Sequence, residues 1–236
     1  MEDYSRKIAE AALEIKAIKL SPDKPFVWAS GYQMPIYNDN RMHLGNPPSR
    51  RIITNAFLDV IEQQRLPDVV AGTSTAGIPW GVFISKELRL PMVYVRDKPK
   101  DHGLRNQIEG IDAESDLEGR TVVLIEDLIS TGGSSVSAVQ ALRNANGKCD
   151  SCLSIFNYGF SDAAAMFKGE LPYDKEKTKK LETPCAVKSL LTYDELMEVV
   201  REKGYFSDDQ MQSLAEWRSA PFKWGENHGF PKVEKK

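Results

Sequence analysis

Hydrophobic positions change their spacing along this chain. Over residues 5–19, Ile8, Ala12, Ile15 and Ile18 recur every three or four positions with charged residues between them, which predicts an amphipathic helix packed on the body of the protein. Residues 25–41 predict short strands around a Ser30-Gly31 turn. Asn46 followed by Pro47 predicts a helix start, an N-cap and then a residue that needs no N–H. Ile52, Ile53, Ala56, Phe57, Val60 and Ile61 then fall on its inner face. Beyond residue 69 the pattern becomes brief apolar runs at 69–71, 92–95, 121–125 and 152–156, with helical stretches at about 78–89 and 133–146 between them. Short apolar strands alternating with helices are βαβ units, so the predicted class is α/β, a Rossmann-like parallel sheet flanked by helices. The stretch 96–119 is polar. Residues 168–182 are Lys-rich, interrupted by Glu170, Asp174, Glu176 and Glu182, and predict a solvated connection or an exposed helix. Two helices follow near 193–203 and 208–218, the second with Ser207 as N-cap and Asp208 and Asp209 at its positive end. The last eight residues predict a loose tail.

Composition narrows this. The 236 residues carry 41% hydrophobic and 28% charged positions and a net charge of −3, which excludes extensive disorder. The near-neutral balance argues against a polynucleotide or membrane-surface partner. No apolar run approaches the ~20 residues of a bilayer span, and the start of the chain lacks the basic and apolar regions of a signal peptide. With only three cysteines, a cytoplasmic location is expected. Cys149 and Cys152 form a CxxC. Without a second CxxC, and with three histidines in the chain, Cys152 reads as part of a short apolar strand and Cys149 as the residue just before it, rather than as a metal or redox pair.

The chemistry is concentrated at 122–135. A buried strand runs into two acids, Glu126 and Asp127, then Leu128 and Ile129, then Ser130, Thr131, Gly132, Gly133 and Ser134 at a helix start. Open α/β sheets bind ligands at the C-terminal ends of their strands. A helix N-terminus with glycines offers backbone N–H groups and a positive dipole end to an anion, and the hydroxyls of Ser130, Thr131 and Ser134 add donors. The loop therefore suits a phosphate, and the acids suit the hydroxyls of an adjoining sugar. No Lys follows the glycines in Walker A register. Gly72 to Gly77, with Thr73, Ser74, Thr75 and Ala76 between, is a second small-residue loop after a strand and suits a second phosphate group. It is not a GxSxG elbow, because Ala76 stands where the second glycine belongs. Arg96, Lys98, Lys100 and His102 lie on a long polar loop, the composition of a lid over a polyanion.

The 122–135 segment resembles the phosphoribosyl pyrophosphate (PRPP) motif of the type I phosphoribosyltransferases. Other segments narrow the resemblance to the orotate phosphoribosyltransferases: Tyr94 to Gly103 continuing through Asn106 to Gly110, Phe26 to Gly31 with Pro35 to Arg41, and Ala71 to Pro79. Glu216-Trp217-Arg218 is similar to one bacterial branch. The resemblance spans nearly the whole chain in the same order. It implies a single domain over 1–236, with an N-terminal helix and hood at 1–45, an α/β core at 46–165 and C-terminal helices at 166–236 completing the hood. It implies transfer of ribose 5-phosphate from PRPP to orotate, giving orotidine 5′-monophosphate and pyrophosphate in pyrimidine biosynthesis. Lys100, His102 and Asp127 are then catalytic. PRPP is bound by Arg96, Lys100, His102, Glu126, Asp127 and 128–134, and its pyrophosphate by the 73–76 loop. Orotate is bound by Ser130, Tyr37 and Asn38. Mg²⁺ is held mainly through PRPP and water. The resemblance also implies a homodimer in which the lid reaches the neighbouring site.

The sequence departs from the family pattern at Ala29 and Asp97, where some members carry Lys, and at Asn157-Tyr158, where some carry Arg. The partner of the orotate carboxylate stays open among backbone N–H groups of 36–38, Ser130 and Arg41. The alternatives are a purine or uracil transferase, or a PRPP-binding regulator. The Lys-Pro-Lys-Asp-His lid argues against the first, and the charge balance and length against the second.

Overall fold

In the computed structural model, which describes residues 3–97, 107–111, 117–174 and 176–234, parallel strands form the centre of the chain. The strands β5 (Val69–Thr73), β6 (Met92–Val95), β8 (Thr121–Ile129), β9 (Lys148–Asn157) and β10 (Ala186–Thr192) run parallel, and β7 (Ile108–Glu109) adds an antiparallel edge. The order is β10-β9-β8-β5-β6-β7. Helices α2 (Pro47–Glu62), α3 (Gly77–Leu88), α4 (Gly133–Asn144) and α5 (Ser161–Phe167) connect them. Two buried clusters line opposite faces of the sheet, one with Phe57 and Trp80, the other with Leu124, Val136 and Leu142. This is the α/β class read from the alternating runs, since strands covered on both faces must be apolar throughout.

Local signals hold at the helix starts. Asn46 accepts from Ser49 N–H at 2.9 Å ahead of Pro47. Ser207 caps α7 (Asp208–Ser219) in a capping box with Gln210, and Thr192 does the same with Glu195 for α6 (Tyr193–Glu202).

Several expectations are corrected. The first helix, α1 (Tyr4–Glu14), stops early. Lys16 takes φ 60°, and Ile18 belongs to β1 (Ile18–Leu20), which pairs antiparallel with β4 (Ile36–Asn38). β8 continues beyond the expected 121–125, so Glu126 and Asp127 lie within the strand. β9 starts earlier than 152 and buries both Cys149 and Cys152; the Cys149 thiol pKa is pushed up first by its hydrogen bond with Cys185 and then by burial, and that of Cys152 by burial first. α5, β10 and α8 (Pro221–Asn227) were not anticipated. Residues 230–233 are held rather than loose, with Phe230 N–H on Gly225 O at 2.7 Å and Val233 N–H on Gly31 O at 2.9 Å.

The N-terminal segment and the C-terminal helices meet above the C-terminal strand ends. β2 (Phe26–Val27) and β3 (Gln33–Met34) form a small hairpin. Trp217 is fully buried beneath it, 5.2–5.8 Å from the rings of Tyr158, Phe160 and Tyr193, and donates its indole N–H to Met34 Sδ at 3.1 Å. Among the described residues no helix is long and apolar enough to cross a membrane.

Candidate active site

Glu126 and Asp127 sit where β8 nears its end, and both border the same cavity. Glu126 is 6% exposed, and its carboxyl is held from two loops. Thr73 Oγ1, at the end of β5, donates to Oε1 at 2.7 Å, and Asp127 N–H donates to the same oxygen at 3.0 Å. Ser135 Oγ, in the first turn of α4, lies 2.8 Å from Oε2. Burial first, and the neighbouring Asp127 charge second, push the Glu126 pKa well up. Asp127 is also raised by burial, and it remains partly open. Its carbonyl accepts from Asn40 Nδ2 at 2.6 Å, which ties the 3-10 turn Asn40–Gly45 to the sheet. Glu126 thus ties the two loops together, and Asp127 is the more open of the two acids.

Ser74 N–H donates to Val95 O at 2.8 Å, which orients the loop after β5. A Cβ on Gly72 would lie 2.8 Å from Gly77 O, so the turn into α3 needs glycine for its close approach. At the other loop Gly132 takes φ +84° ahead of α4, against Ala163. Thr131 and Ser134 are exposed there, while the Ile129 side chain is buried in the core and its carbonyl accepts from Tyr158 N–H.

One cavity of about 940 Å³ joins these pieces. Thr73, Ser74, Thr75, Ala76, Arg96, Glu126, Asp127, Leu128, Thr131, Gly133 and Ser134 all line it, so the two small-residue loops and the acids open on one space. Arg96 is partly engaged, with its guanidinium 3.4 Å from Glu109. Tyr37 and Asn38 lie on β4 and Ser130 beside the loop, and these three do not line that cavity. Lys98, Lys100 and His102 lie outside the described residues.

Two contributors were missed by sequence reasoning. Ser135 closes the 122–135 segment without a role assigned from the sequence, and the fold turns it under Glu126. Tyr173, Asp174 and Lys179 belong to the stretch read as a solvated connection, yet they form a wall of the cavity. Asp174 caps that loop by accepting Thr178 N–H at 2.8 Å, and Tyr173 N–H donates to Lys179 O at 2.9 Å.

A parallel sheet whose acid pair and two phosphate-suited loops share one cavity suits a ligand that carries phosphate groups on a sugar. The family model for the phosphoribosyl transferase domain matches residues 43–170, more than half of the chain, and the chain belongs to that family. Orotate phosphoribosyltransferase of Listeria monocytogenes serovar 1/2a is 45% identical over 221 residues, covering 93% of this chain and 98% of the relative. Within its family the chain stands with the orotate phosphoribosyltransferases. Solved structures show the shared fold: orotate phosphoribosyltransferase from Aeropyrum pernix has a TM-score of 0.64 at 24% identity, covering 85% of this chain and 99% of that one. The Mycobacterium tuberculosis orotate phosphoribosyltransferase in complex with PRPP has a TM-score of 0.56 at 18% identity, covering 83% and 99%.

Proposed function

We propose that this chain transfers ribose 5-phosphate from PRPP to orotate, forming orotidine 5′-monophosphate and pyrophosphate. The observation that carries the reading is the single cavity shared by Asp127, the 73–76 loop and the N-terminus of α4. Both loops and the acid pair open on that one space, which supports a ligand with two phosphate-bearing ends and a ribose.

In this reading the backbone N–H groups and hydroxyls of 130–134 hold the 5′-phosphate. Asp127 orients the ribose hydroxyls and faces the positive charge that develops at the ribose as the pyrophosphate bond breaks. Glu126 keeps the two loops in register through Thr73 and Ser135. No protein nucleophile is required, because positioning and charge stabilisation suffice. Arg96 and the 73–76 loop receive the leaving pyrophosphate. Lys100 and His102 complete that neutralisation from the partner subunit of a homodimer, and one of them supplies a proton to the leaving group. Mg²⁺ fits the donor set. Glu126 has both oxygens engaged, leaving Asp127 and ligand phosphates as the hard oxygen donors, and Mg²⁺ favours few protein ligands and several waters. Bound, it would offset negative charge on the pyrophosphate. We read residues 1–236 as one domain, a reading supported by a buried cluster that draws Ile8, Phe57, Ile125 and Trp217 together. The reading places the enzyme in the cytoplasm.

The test is orotate absorbance in the presence of PRPP and Mg²⁺, with and without EDTA. PRPP-dependent loss that EDTA abolishes is expected, and loss independent of PRPP sinks the reading. Mixing Lys100→Ala with Asp127→Asn chains tests the shared site. Hybrid dimers should recover activity, and their failure to do so removes the in-trans lid.

A further inference from the structure

Residues 229–234 cross the turn between β2 and β3. Phe230 turns the chain back after α8, with its ring stacked on Trp224 at 5.8 Å between centroids. Three separate contacts then reach the turn. The Gln33 side-chain amide donates to Pro231 O at 2.8 Å, the Lys232 ammonium lies 4.5 Å from the centre of the Tyr32 ring, and Val233 N–H donates to Gly31 O at 2.9 Å. Gly31 holds φ +85°, and Val233 O packs against the face where a Cβ would stand.

The turn hands this constraint toward the site. Gly31 N–H donates to Trp28 O, and Trp28 N–H to Tyr32 O, both at 2.9 Å. The Trp28 indole N–H donates to Ile36 O at 2.8 Å, immediately ahead of Tyr37 and Asn38. Two residues further, Asn40 is bonded to Asp127 O at 2.6 Å. One series of hydrogen bonds and covalent links therefore runs from Val233 to the acid pair. Along it, the Asn38 amide has neither its N–H₂ nor its C=O paired among the described residues. The segment thus keeps an unpaired donor and acceptor, the complement of the adjacent N–H and C=O groups of a pyrimidine.

We propose that the 231–234 strap positions the base-binding segment, with Gln33, Lys232 and the Val233 backbone holding Trp28–Asn38 in the conformation that receives orotate. This rests on the proposed function and on the expectation that Tyr37 and Asn38 bind orotate. The strap touches no reacting atom, so these are positioning residues. Their removal should weaken base binding and spare both PRPP binding and turnover.

The experiment compares the full chain with one ending at Phe230, which keeps the Trp224 stack and loses all three contacts. Hydrogen exchange without substrate should rise in the 26–38 peptides and stay unchanged in α2 and β8. KM for orotate should rise about fivefold or more, with kcat and KM for PRPP within about twofold. Gln33→Ala should give a smaller rise in the full chain and none in the shortened one. Unchanged exchange over 26–38 overturns the strap whatever the kinetics. Raised exchange with an unchanged KM for orotate overturns its positioning role, as does loosening throughout the protein. A full chain that consumes no orotate overturns the substrate reading and the positioning role together, a pattern the other failures do not produce.

Discussion

Replacing Ser135 with alanine removes one of three donors around the buried Glu126 carboxyl. The hydroxyl is 1% exposed and 2.8 Å from Oε2, so no water can take its place without rearrangement. A hydrogen bond to an ionised group contributes about 1.5–3 kcal/mol, and a buried oxygen left unpaired sits at the upper part of that range. The hydroxyl can donate to a carboxylate or accept from a carboxylic acid, so the loss persists on either side of the raised Glu126 pKa. For a chain of this size, about 2–4 °C of Tm follows each kcal/mol, so Ser135→Ala should lower Tm by about 3–12 °C. Urea denaturation should move the midpoint and leave the slope unchanged. Thr73→Val removes the donor on the opposite oxygen. Since both act on one carboxyl, the double variant should depart from additivity by about 0.5 kcal/mol or more. Both variants should also raise KM for PRPP, because Glu126 ties the two phosphate-suited loops together. A Tm change below about 1 °C for Ser135→Ala, or a strictly additive cycle, would refute the brace.

Asp127→Asn keeps the shape of the ribose-facing group and removes its charge, so kcat/KM should fall by about 100-fold or more with little change in Tm; activity within a few-fold of the parent excludes a catalytic role. His43 is fully buried beside Ser49, and burial holds its pKa at about 4 rather than 6.5. A lowered histidine pKa means that the unfolded chain takes up the proton first. Its contribution to stability is therefore present above pH 6.5 and lost as pH falls toward 4, about 3 kcal/mol in all, and His43→Gln should flatten that part of the stability curve. Superimposable pH profiles for parent and variant would remove this account. Lys179→Glu puts a negative charge on the cavity wall and should raise KM for PRPP several-fold, less so at high salt; a salt-independent effect would point to a folding defect instead.

Much of the site was legible because it is local. The strand, acids, glycine turn and helix of 121–144 occupy consecutive residues, and each step has its own residue chemistry. The same holds for the caps Asn46 and Ser207. Other features were not legible, each for a specific reason. β10 carries a mixed burial pattern at the sheet edge, so no clean period marks it. Ile18 continues the helical spacing of α1, but pairing with Asn38 outcompetes it.

What the sequence by itself determined is the α/β class, the strand that ends in two acids, and the phosphate-suited loops, since periodicity and turn chemistry act within a few residues. Only the tertiary structure decided how these parts divide the work. It turned Glu126 inward between Thr73 and Ser135, 53 and 9 residues away, and left Asp127 facing the cavity. It brought Lys179 to the cavity wall and laid Val233 across Gly31. Such pairings join residues far apart along the chain, and their energy comes from burial and hydrogen bonds that exist only once the sheet has assembled.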